Sequence, residues 1–128
     1  KNSRATLVLA VDYGGKWDIT ETAKYFAEKV AAGSMLAEEI TPDIFEQRIS
    51  INNLPPPDLC IRTGGERRLS NFMLWHLAYT ELYFCETLWP DFDEQHLSQA
   101  FSDFIRRDRR FGRRVAFNET AIARDLSV

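Results

Sequence analysis

With 128 residues, 45% hydrophobic and 27% charged, the chain has the composition of a folded globular protein, neither a disordered nor a membrane-spanning one. A net charge of −3 argues against general nucleic-acid binding, which draws most of its affinity from neutralised phosphates. No apolar run reaches the roughly 18 residues of a spanning helix, no signal-peptide core follows the polar start, and the expected location is cytoplasmic.

The first element is the apolar run TLVLAV at residues 6–11, whose β-branched members suit a strand covered on both faces. A loop containing Gly14 and Gly15 follows. Asp18 and Glu21 have capping-box spacing for a helix that puts Ile19, Ala23, Phe26, Ala27 and Val30 on one face, and Gly33 ends it. Thr41 and Pro42 form an N-cap and first-turn pair for a short amphipathic helix carrying Ile44, Phe45, Arg48 and Ile49. Pro55, Pro56 and Pro57 then impose a stiff, extended connection.

The stretch at residues 58–91 organises the rest. Leu59, Cys60 and Ile61 read as a buried strand that breaks into a loop holding Arg62, Gly64, Gly65, Glu66, Arg67, Arg68 and Ser70. Two glycines allow close backbone approach to a ligand, and arginine forks match phosphate oxygens. A helix after the loop, capped by Ser70, would aim its positive end at the same place. Arg62, Arg68 and Ser70 can converge on one anion; the competing reading is a surface loop tied by pairing of arginine with Glu66, with Arg67 facing solvent. Residues 81–85 read as another strand, and Asp91 or Asp93 caps a last helix burying Leu97, Ala100, Phe101, Phe104 and Ile105.

Alternation of strands and helices predicts an α/β fold, a mostly parallel sheet flanked by helices, with both Gly-Gly loops on one sheet edge. Cys60 and Cys85 sit inside apolar runs and are expected to be free thiols; with two histidines and no metal-site spacing, zinc is not expected. Trp17, Trp75 and Trp89 are expected in the core. Residues 106–114 hold six arginines against Asp108, a cationic end suited to solvent, to phosphate or to an anionic membrane surface.

The run IRTGGERRLSNFMLWHLAYTELYF at residues 61–84, followed by LWPDF, resembles the signature of the cis-prenyltransferases, the family of undecaprenyl diphosphate synthase. DYGGKWDI at residues 12–19 is similar to that family's Asn-Tyr-Gly-Gly-Arg block, with Asp12 and Lys16 departing from the usual Asn and Arg. RRFG at residues 109–112 is similar to its Arg-x-Gly end. The family's catalytic Asp-Gly-Asn-Gly-Arg-Trp loop occurs nowhere in these residues, so residues 1–128 read as the C-terminal portion of one such domain, an incomplete cis-prenyltransferase-like fold whose catalytic aspartate is expected elsewhere.

The resemblance implies a transferase that condenses isopentenyl diphosphate with an allylic diphosphate of the farnesyl type, making a long cis-polyprenyl diphosphate that carries cell-wall glycans. It assigns Arg62, Arg68 and Ser70 to the diphosphate of isopentenyl diphosphate and Glu81 to Mg2+, where a carboxylate at the end of an apolar run otherwise needs a cation as partner. It places Arg110 and Gly112 in an active site shared across a homodimer, with peripheral contact at the inner membrane face as a further expectation. The alternative is a non-catalytic diphosphate-binding or partner subunit, and the 128-residue piece alone is expected to be inactive.

Overall fold

The computed structural model describes residues 5–107. Helix α1 (Gly15–Ala31) leads into α2 (Pro42–Glu46), then strand β1 (Leu59–Arg62), strand β2 (Glu81–Phe84) and helix α3 (Glu94–Arg106), with short 3-10 turns at Ala37–Glu39, His76–Tyr79 and Trp89–Asp91. The two strands pair in parallel, Leu59 opposite Glu81 and Arg62 opposite Phe84, and the chain crosses from one to the other through residues 63–80. This small parallel sheet flanked by helices is an incomplete α/β fold, as expected.

Helix α1 begins four residues earlier than its acidic residues suggest. Gly14 is the N-cap, and Asp18, in the first turn, is buried. Its carboxylate accepts from the Ser50 backbone N–H and hydroxyl at 3.1 and 2.8 Å and from the Tyr13 hydroxyl at 3.2 Å. A buried carboxylate is tolerated because it is bonded on several sides. Burial and Asp18 together push the Tyr13 phenol up to about 12. The inward face is Gly15, Asp18, Thr22 and Phe26, one step round from the apolar set expected, so Ala23 and Ala27 face solvent. Gly33, at φ +67°, ends the helix in the left-handed conformation that glycine adopts freely.

Thr41 caps α2 by accepting from the Ile44 N–H, and Pro42 stands at its first position. Phe45 stacks on Phe26 at 5.7 Å and meets Trp75 at 4.9 Å, so α1, α2 and the crossover share one aromatic column beside the buried Ile49. Trp75 is the one tryptophan that packs as predicted. Trp17 and Trp89 are 61% and 75% exposed, which corrects their assignment to the core. Cys60 and Cys85 are free and half-buried.

Two further expectations are corrected. The run at residues 6–11 is not a strand: no partner pairs with it among the described residues, and Leu7, Leu9 and Val11 are each more than three-quarters exposed. A strand exists only through its ladder, and periodicity alone cannot supply the neighbour. The run after Ser70 is not an α-helix either. Ser70 and Met73 sit at φ +60° and +44°, which no N-cap or helical residue adopts, so the segment winds as turns into the single 3-10 turn His76–Tyr79. At the other end, Asp93 caps α3 through the His96 N–H at 3.0 Å, and Ala100 and Phe104 turn inward while Phe101 and Ile105 stay exposed.

Candidate diphosphate site

β1 delivers Arg62 to the carboxyl end of the strand pair. There Gly64 and Gly65, at φ +84° and +77°, reverse the chain and donate their N–H groups to the Thr87 and Cys85 carbonyls at 2.8 and 3.0 Å. The loop after β1 is thereby pinned to the loop after β2. A residue with a Cβ would be strained at either glycine.

The side chains of Arg62 and Arg68 converge as the arginine pattern suggests, and what they hold is the carboxylate of Glu66. Arg62 Nη2 donates to Glu66 Oε2, and Arg68 Nη2 donates to Glu66 Oε1. A third bond, Arg62 Nη1 to the Arg68 carbonyl at 2.6 Å, ties the loop across its base. Arg67 points elsewhere and pairs with Glu86 at 3.5 Å. Ser70 is exposed at the far end of the loop, with no bond from its side chain to the arginines. No α-helix follows to aim a dipole at this anion position; the charge there comes from side chains.

Asn71, which sequence reasoning passed over, joins the two Gly-Gly loops. Its carbonyl accepts from the Gly15 N–H at 2.7 Å and its side-chain oxygen from the Lys16 N–H at 2.8 Å, taking up two free donors at the start of α1. The loops thus meet through one asparagine, not as the ends of two neighbouring strands. The only sequence signal was an amide side chain closing a glycine-containing loop.

Glu81 opens β2, opposite Leu59, so it lies three rungs from Arg62, about 10 Å along the strand pair. It does not join the arginine cluster. Arg107, past the end of α3, donates to Glu81 Oε2 at 3.0 Å, to the Leu82 carbonyl at 2.9 Å and to Asp103, and these carboxylates hold its guanidinium still further above its ordinary value. Among the described residues no group of three or more His, Cys, Asp or Glu side chains could hold a metal. Glu81 is thus ion-paired with Arg107, as a glutamate at the end of an apolar run would be if a nearby arginine were its cation. Burial pushes the Cys60 thiol up, Arg62 pulling the other way, which fits a packing role.

A cavity of about 970 Å³ lies elsewhere, lined by Pro42, Pro55, Pro56, Pro57, Trp75 and Tyr79 among others, and none of its walls comes from the arginine loop. Arg110 and Gly112 lie outside the described residues. No helix among the described residues is long and apolar enough to cross a membrane.

Comparison with known proteins fixes the lineage. The prenyltransferase family model for undecaprenyl diphosphate synthase matches residues 1–112. A ditrans,polycis-undecaprenyl-diphosphate synthase of Pseudomonas syringae, described as (2E,6E)-farnesyl-diphosphate specific, is 51% identical over 112 residues, 88% of this chain and 45% of the relative. The Escherichia coli K12 protein of the same description is 48% identical over 120 residues, covering 94% and 47%. Among solved structures, lavandulyl diphosphate synthase from Lavandula x intermedia, in complex with dimethylallyl diphosphate, superposes with a TM-score of 0.76 at 46% identity, over 81% of this chain and 45% of that one. A probable undecaprenyl diphosphate synthase from Campylobacter jejuni gives 0.64 at 34% identity, over 81% and 46%. The chain spans a little under half the length of the relatives it matches, and the matched part is its own N-terminal part, residues 1–112. The chain belongs to the cis-prenyltransferase family of undecaprenyl diphosphate synthase.

Proposed function

We propose that the protein to which this chain belongs condenses isopentenyl diphosphate with an allylic diphosphate of the farnesyl type, giving a long cis-polyprenyl diphosphate that serves as lipid carrier in cell-wall synthesis. In this reading the chain carries the isopentenyl diphosphate site. The observation behind it is the convergence of Arg62 and Arg68 on a single anion at the carboxyl end of β1. The names of the relatives supply the reaction class.

Arg62 and Arg68, with Ser70, fix the extender's diphosphate and so orient its double bond. That bond attacks the allylic carbon, the carbon–oxygen bond to the allylic diphosphate breaks, and loss of one proton restores a double bond. Glu81 supplies a ligand to Mg2+, which when bound would neutralise diphosphate charge. Arg110 and Gly112 reach a neighbouring copy's site in a homodimer, a state that sedimentation mass would check. The arginine-rich end offers contact with an anionic membrane surface, to be tested by co-sedimentation with anionic vesicles. The isolated 128-residue chain is inactive in transfer.

Steady-state kinetics of the full-length protein test the central assignment. Arg68→Ala is expected to cost about 1.5–3 kcal/mol of extender binding, roughly 10- to 150-fold in KM for isopentenyl diphosphate, with the KM for the allylic substrate changed far less. A loss falling equally on both substrates would remove Arg68 from the extender site. Glu81→Gln should raise the magnesium concentration needed for half-maximal rate; an unchanged requirement would leave Glu81 only its ion pair with Arg107.

A further inference from the structure

We propose that Glu66 is an internal counter-anion, a carboxylate from the chain itself that occupies the diphosphate position between Arg62 and Arg68 while the site is empty and is displaced when a diphosphate enters. This rests on the reading of that loop as a diphosphate site. Glu66 engages an Nη2 group of each arginine, one on each carboxylate oxygen, at the point where the two guanidinium groups converge. A bound diphosphate and the Glu66 carboxylate therefore compete for the same donors.

The surroundings suit exchange. Glu66 and Arg68 side chains are 45% and 66% exposed, and exposed ion pairs are weak, so the carboxylate leaves readily when a more highly charged anion arrives. Arg62 is only 24% exposed and is also anchored to the Arg68 carbonyl, so it stays in place as the fixed jaw while Glu66 moves. In the empty site Glu66 keeps two like-charged guanidinium groups together, which stabilises the ligand-free loop. It also sets a threshold: a ligand must outcompete a carboxylate to enter, which favours a diphosphate over singly charged anions. The apparent affinity is the intrinsic affinity multiplied by the fraction of molecules in which Glu66 is not seated.

Glu86 provides an internal control. It carries the same charge on the neighbouring loop but pairs with Arg67, outside the converging pair. Removing either carboxylate changes the net charge equally, and only Glu66 competes for the donors.

The test is calorimetric titration of the full-length protein with inorganic pyrophosphate, alongside the melting temperature without ligand. Glu66→Gln is expected to tighten pyrophosphate binding roughly three- to tenfold while lowering the ligand-free melting temperature, and Glu66→Ser to do the same. Glu86→Gln should shift binding less than twofold, and Arg68→Ala should weaken it at least about tenfold. A carboxylate that merely braces the loop would lose affinity and melting temperature together, and that outcome overturns the proposal. Equal tightening by Glu66→Gln and Glu86→Gln also overturns it, because bulk charge would then explain the gain. If Arg68→Ala leaves pyrophosphate binding unchanged, the diphosphate reading itself fails; if Arg68→Ala weakens binding and Glu66→Gln does not tighten it, only the counter-anion role fails.

Discussion

Asp18 shows how much one buried carboxylate organises. It joins α1 to the chain after α2 through Ser50 and to the loop before α1 through Tyr13. Replacing it by alanine leaves the Ser50 N–H without a partner in a nearly closed site, so Asp18→Ala is expected to cost about 3 kcal/mol. Asp18→Asn, which keeps an acceptor, should cost about half of that. Urea unfolding of the full-length protein measures both, and equal costs would mean that charge and not hydrogen bonding holds the junction. The sequence flagged Asp18 as a helix-start residue, which is correct to within one turn. Its partner, 32 residues away, was beyond any local pattern. Glu66 makes the same point in the loop: its pairing with arginine, which stood as the rival of an anion site, is the geometry the structure has, and the anion site is the proposal made above.

Elements tolerate substitution according to how their ends are closed. Asp93 is held below the usual carboxylate range mainly by the His96 N–H, then by the His96 side chain. Its folded-state pKa is depressed, so its contribution is fully present above the unfolded value of about 4 and is lost as pH falls through the lowered folded value. Asp93→Asn is therefore expected to flatten the acid limb of α3 unfolding below about pH 4, followed by amide exchange in that helix. An unchanged acid limb would show that the cap carries no pH dependence. Gly15 closes the other end of the fold. A Cβ there would stand 2.9 Å from Leu74 Cγ, 3.1 Å from Leu74 N and 3.2 Å from the Asn71 carbonyl oxygen. Because two of these are backbone atoms, Gly15→Ala is expected to cost about 1–3 kcal/mol and to loosen the Asn71 link, read as faster exchange of the Gly15 and Lys16 region. Caps such as Thr41 and Asp93 were legible in advance because they depend on residues three apart. The helix expected after Ser70 failed because positive φ at Ser70 and Met73 is set by the crossover between the strands.

At the scale of the molecule, the described chain leaves apolar surface uncovered. Leu7, Leu9 and Val11 are 84%, 77% and 83% exposed, and Tyr79 and Ile105 are comparably open. The isolated 128-residue polypeptide is therefore expected to bind a hydrophobic dye and to self-associate, and Leu7→Lys with Leu9→Lys to reduce both. Light scattering that stays monomeric for the unmodified chain would sink that expectation. The sequence by itself determined the family, the two parallel strands, the caps of α2 and α3 and the arginine loop, because each is written in residues close together in the chain. Only the tertiary structure decided that residues 6–11 stay unpaired, that Arg107 holds Glu81, that Asn71 joins the glycine loops, and that Glu66 sits between the arginines. Those outcomes depend on which groups meet across the fold, and a ladder partner or a counter-ion many residues away leaves no periodic trace in the sequence.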